Sequence, residues 1–145
     1  MSSEKNNEFK AINISVLTIS DSRTIEQDDS GEYLVSALKE QGHFLNDRKI
    51  CKDNLYEIRA IISQWILGEN VHGIITTGGT GITGKDGTPE AILPLLDKTI
   101  DGFGEMFRSL SYQNIKTSTL QSRAFAGVAN GTFILCLPGS PGACK

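Results

Sequence analysis

Two kinds of segment alternate along the chain: short runs rich in β-branched residues and longer stretches with apolar residues at helical spacing. Ile12 to Ser20 (INISVLTIS) is apolar on both faces, as a central parallel strand must be, and ends in polar Ser20-Asp21-Ser22-Arg23. Ser30 then offers an N-cap for a helix carrying Tyr33, Leu34, Ala37 and Leu38 on one side, with Gly42 closing it. The unit repeats. A weaker strand, Phe44 to Cys51, precedes a helix whose Leu55, Ile58, Ile62, Trp65 and Ile66 recur at helical spacing, which assigns Trp65 to the core. Asn54 followed three residues later by Glu57 resembles a capping box and leaves Asp53 outside the helix. A third strand, Val71 to Thr77, runs into a glycine-rich loop, and Thr88-Pro89-Glu90 has the N-cap, N1 proline and early acidic residue of a helix start.

Beyond that point the pattern predicts a helix divided at Pro94 and a further break at Gly102-Phe103-Gly104 before Glu105 to Ser111. Asn130-Gly131 between Phe125 to Ala129 and Thr132 to Leu137 signals a hairpin with a two-residue turn, hence an antiparallel edge. Pro138 to Gly142 forms a last tight loop. Serial β-then-α units require parallel pairing with right-handed crossovers. The expected fold is therefore α/β, a three-layer α/β/α sandwich with a mostly parallel sheet and an antiparallel edge hairpin. Ligands of such sheets lie beyond the carboxyl ends of the strands. Ser20-Asp21, Cys51 to Asp53, Gly78 to Thr88 and Pro138 to Gly142 all follow strand ends and should converge there.

Length and composition narrow the picture. A chain of 145 residues with 39% hydrophobic positions suits one compact domain, taken as residues 11–145 behind a loose polar tail, Met1 to Lys10. The net charge of -3, with both signs mixed along the chain, leaves no cationic face for a nucleic acid partner. No apolar run approaches the roughly 20 residues of a membrane helix, and no signal-like segment opens the chain, so a cytoplasmic protein without a membrane partner is expected. Cys51, Cys136 and Cys144 are odd in number and form no Cys-x-x-Cys pair, which favours buried or incidental thiols. His43 and His72 lack a second ligand at metal-binding spacing, and structural roles are assigned to both.

The chemistry concentrates between Thr76 and Thr88, where glycines and threonines dominate. Glycine lets the backbone turn through positive φ and bring N–H groups to an anion, while threonine hydroxyls add donors without charge. Gly79-x-Gly81-x-x-Gly84 matches a dinucleotide fingerprint, but it follows the third strand and the helix starts only at Thr88. Gly79-x-x-x-x-Gly84-Lys85 approaches a Walker A loop, but Asp86 stands where Ser or Thr would hold magnesium. Asp86 fits better as a carboxylate holding Mg2+ against a polyphosphate, with Asp53 as a second carboxylate at the neighbouring strand end. A solvated loop aspartate is the plain alternative for each. Lys85 either neutralises phosphate or is a surface lysine.

The run TTGGTG from Thr76, then Lys85 to Ala91, Gly102 to Glu105 and Leu137 to Pro141, resembles the MoaB/MogA molybdopterin-binding family in order and spacing. Ser118 to Asn130 and Asp29-Ser30-Gly31 look like its MoaB branch, and the resemblance extends from Ile12 onward. It implies molybdenum cofactor biosynthesis, with molybdopterin and ATP as ligands, Mg2+ as cofactor, and transfer of AMP to the pterin phosphate with release of pyrophosphate. A pterin-binding carrier that lacks the chemistry is the alternative, and a generic P-loop hydrolase ranks third. By resemblance Asp53 and Asp86 are the essential catalytic pair. Gly78, Gly79, Thr80 and Gly81 would hold phosphate, while Ser20, Asp21, Glu105, Ser140 and Pro141 would line the pterin or nucleotide pocket, with Thr77 and Gly139 as further substrate-binding residues. Arg108 and Arg123 are open between anion contacts and intersubunit ion pairs. The family implies a homo-oligomer, a trimer or hexamer, and a further helix after the Pro-Gly-Ser-Pro loop, where this sequence stops at Lys145.

Overall fold

A computed structural model describes residues 10–22, 24–80, 86–115 and 123–139. The strands are β1 (Asn13–Ile19), β2 (Phe44–Cys51), β3 (Gly73–Thr77), β4 (Lys98–Thr99), β5 (Phe125–Ala129) and β6 (Thr132–Leu137). The helices are α1 (Asp29–Glu40), α2 (Leu55–Leu67), α3 (Thr88–Ile92) and α4 (Asp101–Ile115), with short 3-10 turns at Ile25–Gln27 and Leu93–Leu95. One sheet in the order β2-β1-β3-β6-β5-β4 holds all six strands. β1 pairs parallel with both β2 and β3, and β3 with β6, whereas β5 runs antiparallel to β6 and to β4.

Alternation along β1 builds the three layers. Leu17 and Ile19 join one buried cluster with Ile58, Ile62 and Trp65 of α2, while Ile14 and Val16 join another with Leu34, Val35 and Leu38 of α1. Successive side chains of a strand point to opposite faces, so a strand covered on both sides must be apolar throughout. Trp65 is buried as expected, and its indole N–H donates to Asp47 Oδ2 at 3.2 Å. His43 and His72 accept the Ile12 and Asn13 N–H groups on Nδ1, which secures the entry to β1. No helix among the described residues is long and apolar enough to cross a membrane.

Several expectations are corrected. The cap of α1 is Asp28, not Ser30: its buried carboxylate accepts the Gly31 N–H at 3.0 Å and the Thr18 hydroxyl at 2.6 Å, and pairs with Arg48 at 3.2 Å. Ser30 lies inside the first turn, and its hydroxyl donates to the Gly139 carbonyl at 2.8 Å. The α3 cap position falls on Gly87, and Thr88 is the first helical residue. Gly102 and Gly104 do not break the chain, because α4 runs through both from Asp101. Asn54 caps α2 as expected, accepting N–H groups from Tyr56 and Glu57. Pro94 stands in the 3-10 turn that follows α3. The hairpin turn has positive φ at Asn130 (50°) and Gly131 (78°), the geometry that a two-residue turn between twisted strands requires. Its β6 lies inside the sheet beside β3, so β5 and the two-residue β4 make the antiparallel edge.

Candidate functional site

The site grows out of strand register. Ile19 stands level with Cys51, Thr18 with Thr77, and Thr77 with Leu137, so β1, β2, β3 and β6 release their following loops at one edge of the sheet. With β1 between β2 and β3, successive crossovers leave in opposite directions and open a switch-point crevice beyond β1 and β3.

Hydrogen bonds then knit the loops together. Ser20 N–H donates to the Cys51 carbonyl and Gly78 N–H to the Leu137 carbonyl, both at 2.9 Å. Asp21 Oδ1 accepts the Asp53 N–H at 3.0 Å. Thr77 and Thr88 are buried, and their hydroxyls donate to the Pro138 and Gly78 carbonyls at 2.9 and 2.8 Å. These two hydroxyls therefore brace the loop from within and do not face an incoming anion. The N–H groups of Gly79 and Thr80, which no acceptor among the described residues takes up, are the donors such an anion would meet.

Glycine is required where β3 turns into this loop. Gly78 and Gly79 have φ of +106° and +72°. A Cβ on Gly78 would lie 2.2 Å from the Ile19 carbonyl oxygen, and one on Gly79 would lie 2.2 Å from Thr88 Oγ1 and 3.0 Å from Asp53 Oδ2. The chain thus passes closer to β1 and Asp53 than any side chain allows.

Asp53 faces the loop from the end of β2. Its carboxylate accepts the Gly87 N–H at 3.1 Å (Oδ1) and 3.3 Å (Oδ2). Burial raises its pKa above the usual carboxylate value; the Gly87 hydrogen bond opposes this, and the neighbouring charges of Asp86, Asp21 and Glu90 add to it. Asp86 is half-buried beside it. Such a concentration of negative charge at a glycine-rich loop suits a cation better than a bare phosphate. Among the described residues, no group of three or more His, Cys, Asp or Glu side chains is arranged to hold a metal ion. Two carboxylates fit Mg2+ when the remaining positions go to phosphate oxygens and water, which is how this ion is ordinarily held next to nucleotides. The buried thiols of Cys51 and Cys136 are pushed up to about 12 by desolvation and take no part.

Of the sequence-predicted residues, Ser20, Asp21, Asp53, Thr77, Gly78, Gly79, Thr80, Asp86 and Gly139 gather around this crevice. Glu105 is exposed on α4, and no hydrogen bond or ion pair between described residues ties it to the loops. Gly81, Lys85, Ser140 and Pro141 lie outside the described residues. Arg123, open between two roles in the sequence, pairs within the chain: its Nη1 lies 2.6 Å from Glu90 Oε2. Arg108 donates to the Ala124 carbonyl at 3.2 Å. Ser30 had no signal as a site neighbour, because its contact with Gly139 joins residues far apart in the chain.

Fold and crevice define a doubly wound α/β domain whose ligand site is built on a glycine-rich loop and a pair of aspartates. A family model described as a probable molybdopterin binding domain matches residues 15–145, and the chain belongs to that family, one of molybdenum cofactor biosynthesis. Over 143 residues it is 50% identical to molybdenum cofactor biosynthesis protein B of Escherichia coli K12, covering 99% of this chain and 84% of that protein. A crystal structure of a molybdenum cofactor biosynthesis protein B is similar with a TM-score of 0.89 at 43% identity, over 93% of this chain and 84% of the other. The tungsten cofactor synthesizing protein MoaB from Pyrococcus furiosus gives 0.84 at 35% identity, over 95% and 88%.

Proposed function

We propose that this chain binds molybdopterin by its phosphate in the switch-point crevice and transfers AMP to that phosphate from Mg-ATP. The observation that supports the chemistry is the placement of Asp53 and Asp86 together at the glycine-rich loop, where Asp53 receives the Gly87 N–H. An oxygen of the pterin phosphate attacks the α-phosphorus, the new P–O bond forms as the α–β bridging P–O bond breaks, and pyrophosphate leaves with the electron pair. Bound Mg2+ would offset charge on the transferring phosphoryl group. The protein's part is positioning: the main-chain N–H groups of Gly79 and Thr80 hold phosphate, Asp53 and Asp86 hold the metal, and Ser20, Asp21 and Gly139 to Pro141 line the pocket. The same reading has the chain working as a trimer or hexamer in the cytoplasm, which light scattering after gel filtration checks for the assembly.

The Gly79 and Thr80 N–H groups would hold a phosphate whether or not it reacts, which supports a second reading, a pterin-binding carrier or scaffold of the same pathway. Pyrophosphate release from Mg-ATP, with and without molybdopterin, separates the two. The transferase reading expects pterin-dependent release that falls by about 100-fold or more in Asp86→Ala, with pterin affinity largely kept. Tight pterin binding without any release by the wild type would leave the carrier.

A further inference from the structure

The peptide unit that joins Asp86 to Gly87 is held at both of its polar ends. On one side Gly87 N–H donates to Asp53; on the other, the Asp86 carbonyl accepts from Arg123 Nη2 at 2.5 Å. A trans peptide points these two groups in opposite directions, so Asp53 and Arg123 grip one rigid plane from either side. Arg123 makes two further contacts with the same region. Its backbone N–H donates to the Thr80 carbonyl at 2.8 Å, and its guanidinium forks onto Glu90 of α3 at 2.6 and 3.1 Å. Thr80 and Asp86, the residues flanking the middle of the glycine-rich loop, are thus tied to one arginine.

We propose, resting on the transferase reading, that Arg123 is a positioning residue: by fixing the Asp86-Gly87 peptide it sets where the Asp53 and Asp86 carboxylates stand relative to each other. A cation on the carbonyl oxygen polarises the peptide and strengthens its N–H as a donor to Asp53. Glu90 keeps the guanidinium aimed, because the planar fork meets both carboxylate oxygens while Nη2 still reaches Asp86. Arg123 touches no reacting atom in this role. It acts through a peptide.

The test compares Arg123→Ala, Arg123→Lys and Glu90→Gln with the wild type in the full chain. The first measurement needs no catalysis: amide hydrogen exchange at Gly87 and Thr88. It should accelerate by about tenfold in Arg123→Ala and less in the other two, while the amide of Ile62 in α2 keeps its protection. The second is the kinetics of pterin-dependent pyrophosphate release. The kcat should fall by about 10- to 100-fold with KM for pterin nearly constant, and millimolar guanidinium should restore part of the rate to Arg123→Ala. Wild-type exchange at Gly87 in Arg123→Ala would overturn the proposal, as would loss of protection spread evenly over the whole domain. If Arg123→Ala does not fold, Arg123→Lys and Glu90→Gln decide by the same exchange measurement. Absence of pyrophosphate release from the wild type would sink the transferase reading, whereas the exchange result judges the peptide clamp independently.

Discussion

Asp53 shows what the site costs the fold. Its carboxyl sits where burial and three acidic neighbours disfavour the charge. Its folded-state pKa is raised, so between the unfolded and folded values the native state binds more protons than the unfolded chain, and stability falls as pH rises through that window. At neutral pH the charged carboxylate is therefore a net liability. Asp53→Asn keeps an oxygen for the Gly87 N–H and removes the charge. Because the group is half-exposed and screened, the expected rise in Tm at pH 7 is only about 1–3 °C, and it should vanish as the pH is lowered through the carboxylate range. Thermal melts across pH 3 to 8 check this, and a lower Tm at pH 7 would remove the electrostatic argument. Asp53 was legible as a candidate because it follows the end of β2, and Asp86 because it stands where a Walker A loop would have Ser or Thr. Arg123 was not, because its reach to Asp86 spans 37 positions.

The elements divide along similar lines. Strands β1 and β3 and helices α1 and α2 were legible because their periodicity is strong, and the start of α2 also because its Asn54 cap is local. α4 was misread at its start, since glycine spacing there resembles a break. A Cβ on Gly102 would meet nothing within 4 Å, so neither packing nor approach demands glycine at that position. Gly102→Ala should therefore stabilise the domain by about 0.5–1 kcal/mol, since alanine loses less backbone entropy in a helix. Denaturant unfolding at constant m would register this as a higher midpoint. β4, only two residues long, has no periodicity to detect and exists through its pairing with β5.

At the scale of the molecule, the crevice depends on four chain segments being brought level by register, and a ligand that bridges them should lock the fold. Binding to the native state alone stabilises by mass action, about 2.7 kcal/mol at a ligand concentration one hundred times Kd. Molybdopterin at that excess should raise Tm by several degrees in the wild type and by almost nothing in Gly79→Ala, whose added methyl collides with Thr88 Oγ1 and meets Asp53. Equal shifts in both proteins would place the pterin elsewhere on the surface.

The sequence by itself determined the order of elements from β1 to β3, the glycine-rich turn after β3, the Asn130-Gly131 hairpin, Asp53 beside the end of β2 and Asp86 within the loop. Each depends on neighbouring residues, through side-chain periodicity, restricted φ or a short capping bond. Only the tertiary structure decided that Asp28 and not Ser30 caps α1, that Thr77 and Thr88 turn their hydroxyls inward, and that Arg123 grips the peptide behind Asp53. Those outcomes rest on which distant groups share a buried space, and that is set by strand register and packing.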